Sequence, residues 1–254
     1  MSVYKKKGGV VMPNPIFNDN FVRTGVMSDG ATMSVQGTMM KSLIMIALIV
    51  VSASYTWSLF VQGFVDKANM LGIGGAIVAL VAILLLYFTQ KAAPVLATIY
   101  SVGEGLFLGG ISAMFEKFYP GIVTTAVFAT FATMGMMLLL YVARVIRYTE
   151  KFRAVILTAT LSVGVIYLIQ FVASFFGRGI PQIFTASPMG IGFSIVVCLI
   201  AAFNFIVDFG FIENASDSFA PKFYEWLGAV GLMTSLVWLY VEVLHLLAKL
   251  NDRS

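Results

Sequence analysis

The chain has 254 residues, 59% of them hydrophobic and 11% charged, with a formal net charge of +4. An ordinary soluble domain carries roughly 25% charged residues, and a mean hydropathy of +0.93 leaves more apolar surface than a fold of this size can bury, so the excess must face lipid. A soluble enzyme, a nucleic-acid-binding domain and a disordered chain are excluded, and the basic residues, which sit at the ends of apolar runs, act as topology signals.

Residues 1–38 form a polar segment with Lys5, Lys6 and Lys7, expected to be cytoplasmic and partly disordered. It is either a membrane-attracted tail or a docking arm. No early apolar stretch leads to a cleavage site, so no signal peptide is expected. Residues 39–250 then form the membrane domain. A spanning helix needs about 20 apolar residues, and seven runs qualify: about 40–62, 70–90, 94–115, 121–143, 154–176, 188–212 and 223–247. The expected fold is all-α, a polytopic membrane protein built as a seven-transmembrane-helix bundle. The breaks carry charge or turn chemistry: Asp66-Lys67, Gln90-Lys91 ahead of Pro94, Tyr119-Pro120-Gly121, Arg144 to Arg153, Gly177 to Pro181, and Glu213 to Pro221. Runs two and three nearly abut, which predicts a tight helical hairpin. Gly72 with Ala76, and Gly105 with Gly109, repeat small residues at four-residue spacing. Such pairs let helices approach closely, within the bundle or across a dimer.

Orientation follows from Lys and Arg. With a cytoplasmic N-terminus, Lys5, Lys6, Lys7, Arg23, Lys41, Lys91, Arg144, Arg147, Lys151, Arg153 and Lys222 fall inside. Only Lys67, Lys117, Arg178, Lys249 and Arg253 fall outside. This bias predicts N-in and C-out.

The informative residues are ionisable groups inside apolar runs, each costing about 2.5–3.5 kcal/mol at the bilayer centre on insertion scales. Three are carboxylates: Glu104 in run three, Asp208 in run six and Glu242 in run seven. Ser194, Cys198, Ala201, Asn204 and Asp208 recur at helical spacing on one small, polar face. Thr234, Trp238, Glu242 and His245 form a second stripe, and Ala97, Ser101 and Glu104 a third. Lipid offers such stripes no partner, so they should point into the bundle. Each carboxylate alone also fits a purely structural role. If they converge, they share protons, titrate as a set and suit Ca²⁺ or other cations. Lys91, at the end of run two, could latch one acid.

Other chemistry is scarce. A lone cysteine, Cys198, and a lone histidine, His245, exclude an intrachain disulfide, a zinc cluster and an HExxH site. No aspartyl-protease GxGD pair and no complete nucleophile elbow are present. Neither an enzyme nor a cofactor is expected. Oligomeric state is not legible.

Several segments together resemble the Bax inhibitor/YccA family, the transmembrane Bax inhibitor motif proteins, in its bacterial branch. They are Asn14 to Phe17, Tyr100 to Ser112, Phe118 to Val123, Val145 to Arg153, Gly190 to Ser194, Asp208 to Glu213, and Pro221 to Trp226 followed by Trp238 to Glu242. The resemblance implies a seven-helix bundle with the last helix central, in the bacterial inner membrane. It implies a pH-sensitive calcium leak whose sensor is formed by acids of spans six and seven, here Asp208 and Glu242, which would hold calcium transiently. The latch of some members matches Lys91 loosely. A bacterial relative is linked to a membrane quality-control protease, so the alternative function is a non-conducting regulator of such a partner. This chain departs from the pattern in its longer interval between the two acids. A helix starting at residue 223 would put Glu242 about 28 Å along its axis, far from Asp208. Either residues 221–230 form a separate turn, or Glu225 is the neighbour of Asp208; the motif favours Asp208–Glu242. His245 and Asn204 are further candidate partners.

Overall fold

The computed structural model describes residues 32–177 and 181–253. Most of the N-terminal segment, with the Asn14 to Phe17 motif and Lys5 to Lys7, lies outside the described residues, as does Arg178. Seven helices are long and apolar enough to cross a membrane. They are α1 (Val35–Val61), α2 (Val65–Phe88), α3 (Ala93–Phe118), α4 (Ile122–Val142), α5 (Glu150–Phe175), α6 (Pro188–Asp217) and α7 (Tyr224–Asn251).

Local chemistry sets the ends. Ser34 caps α1 by accepting from Gly37 N at 3.0 Å, Thr149 caps α5 through Phe152 N at 3.1 Å, and Ser187 caps α6 through Gly190 N at 3.0 Å. These caps satisfy backbone donors that the first turn leaves unpaired. Helix α1 therefore begins at Val35, upstream of its apolar run. Between α3 and α4, Gly121 takes φ +86°, which a side chain would resist. Glu116 reaches across this turn and accepts from Gly121 N at 2.6 Å and Val123 N at 3.1 Å.

The α2–α3 hairpin turns through Thr89 and a single 3₁₀ turn, Gln90–Ala92, and is the most extensive helix pair in the bundle. Its backbones meet at glycines: a Cβ on Gly75 would sit 2.5 Å from Gly103 O. Gly105 and Gly109 face α1 of the same chain, with Cβ positions 2.4 Å from Ile49 O and 2.2 Å from Ala53 O. The small-residue pair of the third span thus serves packing within the bundle.

Helix α7 is the most deeply buried of the seven and runs unbroken from Tyr224 to Asn251. The separate turn weighed for residues 221–230 does not form. Helices α1, α3, α4 and α6 pack around α7, while α5 leans on α6 at the periphery. Many large apolar side chains, such as Leu161, Val165 and Phe171 on α5, are exposed, as a lipid-facing surface requires.

Candidate functional site

The intramembrane acids are arranged along α7 as separate stations. Asp208 projects from α6 toward α7, where Ser235 Oγ donates to its Oδ2 at 2.6 Å. Gly231, one turn earlier on α7, leaves room for the carboxylate; a Cβ there would lie 3.2 Å from Asp208 Oδ1. No Lys or Arg forms an ion pair with Asp208 among the described residues.

Glu242 sits two turns further along α7, about 10 Å from the level of Ser235 at helical rise. It is buried, and its Oε1 accepts from Tyr167 OH of α5 at 2.7 Å and from Trp238 Nε1 at 3.1 Å. Its Oε2 has no hydrogen-bond partner among the described residues. Tyr167, Phe184 and Phe193 pack as a ring cluster beside it. The expected Asp208–Glu242 pair is therefore not formed. On α7, buried Leu236, Val237 and Leu239 lie between their levels.

Glu225 does not partner Asp208 either. It lies in the first turn of α7, about 15 Å before Ser235, and ties the start of α1 to the α6–α7 turn. Its Oε1 accepts from Ser34 N at 3.0 Å, Ser34 Oγ at 3.1 Å and Lys222 Nζ at 2.9 Å. Its Oε2 pairs with Lys41. Met33 N donates to Ala220 O at 2.8 Å in the same junction.

Glu104 reaches the Thr234–Ser235 level of α7 through Tyr100. Its neighbour Tyr100, one turn earlier on α3, shares a hydrogen bond with Thr234 Oγ1 at 3.1 Å. Glu104 and Asp208 thus reach the same turn of α7 without meeting. Asn204 donates to Thr160 Oγ1 of α5 at 2.9 Å and to Ile200 O at 2.9 Å, a link between helices. His245 stacks edge-on against Phe115 at 5.5 Å between ring centres. Lys91 is exposed on the 3₁₀ turn and pairs with no acid among the described residues, so the latch is not made. Among the described residues, no three of His, Cys, Asp and Glu gather closely enough to hold a metal ion.

Sequence reasoning missed three contributors. Ser235 is one. Lys249 is another: the charge bias reads it only as an outside topology signal, yet its ammonium donates to Ile183 O at 3.1 Å, Gly190 O at 3.2 Å and Ser194 Oγ at 2.8 Å. It staples the end of α7 to the start of α6. The third is Glu213, which pairs with Arg144 at 2.6 Å and accepts from Tyr141. That carboxylate holds the Arg144 guanidinium, which lies outside the spans, even more firmly protonated than usual.

A family model described as Bax inhibitor 1 like matches residues 14–252. Comparison with curated proteins and with solved structures gives no match.

Proposed function

The chain belongs to the Bax inhibitor 1-like family, and from that premise we propose that it is a pH-sensitive cation leak channel of the Bax inhibitor type, with calcium as the ion. We place it in a bacterial inner membrane with the N-terminus cytoplasmic and the C-terminus outside, in keeping with the Lys and Arg bias.

The observation that carries the reading is Asp208, a carboxylate inside the bundle bonded to a neutral hydroxyl on α7. Ionised, it accepts the Ser235 proton and attracts a cation. Protonated, it is neutral and competes with Ser235 as a donor. One proton therefore changes both the charge of the path and a contact that holds α6 to α7. In this reading Leu236, Val237 and Leu239, between the levels of Ser235 and Glu242, are the barrier that must part for ions to pass, because ions do not cross a dry apolar segment. Opening requires α6 and α7 to shift, and the Asp208–Ser235 bond lies at that boundary.

The test is Ca²⁺ influx into dye-loaded liposomes from about pH 6 to about pH 8, where perturbed carboxylates can titrate. Flux that varies with pH in the wild type and loses that variation in Asp208→Asn supports the reading. Absence of flux above empty liposomes, from folded protein, overturns it. One observation favours a second reading. The three intramembrane carboxylates sit at separate places around α7 and form no shared site. A non-conducting regulator, binding a membrane protease or another membrane complex, would need no such site, and the flux assay separates the two.

A further inference from the structure

Helices α1 and α4 do not pack against each other. The gap between them is floored by α3 and α7 and holds a cavity of about 250 Å³. Its walls are Ile46, Val50 and Ala53 of α1 facing Val127 and Phe131 of α4, with Leu236 of α7 behind. Val50, Val127 and Phe131 are among the exposed apolar residues, so the gap opens sideways, toward lipid. The hydroxyls on its surface are already committed: Ser112 and Tyr240 bond each other at 2.7 Å, and Thr130 donates to Ala126 O at 2.7 Å. An apolar cavity of about 150 Å³ stays dry and accepts a hydrocarbon guest, and this one is larger.

The groove has a direction. From Ile46 to Ser54 it follows α1 for about 12 Å at helical rise, a large part of one leaflet's half of the hydrocarbon core. At one end it meets a polar mouth lined by Ser54, Trp57, Glu116 and Thr124. That mouth lies near the ends of α1 and α3, where the chain leaves the membrane. The Trp57 indole N–H donates to no acceptor among the described residues, and an indole at this level is an interfacial anchor. Glu116 uses both oxygens on backbone N–H groups of the α3–α4 turn, which fixes a carboxylate at the mouth with lone pairs to spare. An apolar slot of leaflet depth with an acid at its rim matches a chain that carries a cation at its head.

We propose that this groove binds one acyl chain of a bilayer phospholipid with an amine headgroup, the amine meeting Glu116 and the chain lying between α1 and α4. The site is separate from Asp208, and its test does not depend on conduction.

The full chain is reconstituted in vesicles of phosphatidylethanolamine and phosphatidylglycerol. A trace of either lipid carries a photoreactive group on its acyl chain, and labelled positions are mapped. Label from the amine lipid should concentrate on the α1–α4 groove by about fivefold over the exposed face of α5. Val127→Trp, a change at the exposed rim, should return groove labelling to the α5 level, and Val50→Trp on the opposite wall serves if the first variant fails to fold. Glu116→Gln should bring labelling by the two lipids to parity. Even labelling of the groove and α5, or indifference to both Trp variants, overturns the proposal. So does quantitative cross-linking of two copies through Val50→Cys, which would make the occupant a second chain.

Discussion

Glu225 offers a test of how the membrane bundle is closed at its N-terminal end. Glu225→Gln keeps the shape and removes the charge. In the wild type the side chain is 1% exposed and meets four donors, from Ser34, Lys41 and Lys222. The partners do not weigh equally. Lys222 is 54% exposed, and such a pair contributes about 0–1 kcal/mol. Lys41 is 15% exposed, and stranding one member of a buried pair costs about 3–5 kcal/mol. Gln retains an acceptor for Ser34 N but presents its amide to Lys41. The partial exposure of Lys41 lets it reach water, so the loss should lie near the low end, about 3 kcal/mol. It should be local, because the same junction holds Met33 to Ala220. Hydrogen exchange in micelles should show residues 33–40 opening before the rest of the bundle. Lys41→Met should cost a similar amount, and the double variant should fall short of the sum by about 2 kcal/mol. A Glu225→Gln cost under about 1 kcal/mol, or additive single effects, would refute the assignment of the pair as the clamp.

Two further outcomes follow from the geometry. Gly105→Ala places a Cβ 1.9 Å from Ser52 Oγ and 2.4 Å from Ile49 O, so α1 must move, at about 1–3 kcal/mol. Gly135→Ala in α4 meets nothing within 4 Å and should be neutral or stabilising by about 0.4–1 kcal/mol; unfolding in mixed micelles compares the two, and equal effects would contradict the packing described. Outside the spans, Tyr119 donates to Asp252 Oδ1 at 2.6 Å, and that bond raises its pKa above 10.0. The folded state therefore holds this proton more tightly, so its contribution is complete below pH 10.0 and is lost as pH rises through the folded value. An ultraviolet phenolate titration of wild type minus Tyr119→Phe should show one tyrosine ionising above pH 10.0 in the folded protein; an ordinary midpoint would remove the Asp252 contact from the account.

The membrane spans and the α2–α3 hairpin were legible because hydropathy and turn residues act locally. Partner choice was not, because it depends on register between helices. The resemblance pairs Asp208 with the acid that matches its span-seven pattern, Glu242, and passes over Ser235, which reads as an ordinary small residue. The chain did carry the signal that decides this. Helices α6 and α7 form an antiparallel hairpin, so facing residues lie at equal distances from its turn. Asp208 with Ser235, and Ser194 with Lys249, are both centred between Pro221 and Lys222. A single register therefore explains the buried carboxylate contact and the ammonium staple. The same register sets Glu242 opposite Ala201, seven residues from Asp208, about 10 Å along the helix. To bring Glu242 beside Asp208, α7 would have to slide by two turns against α6, breaking both hydrogen-bonded pairs and lifting the Glu225 clamp off α1. The Lys249 bonds do not involve Asp208, so the two contacts are separate points on one hairpin. The hairpin is thus fixed at both ends, by the α6–α7 turn with its Glu225 clamp and by Lys249, with the Asp208–Ser235 bond between them.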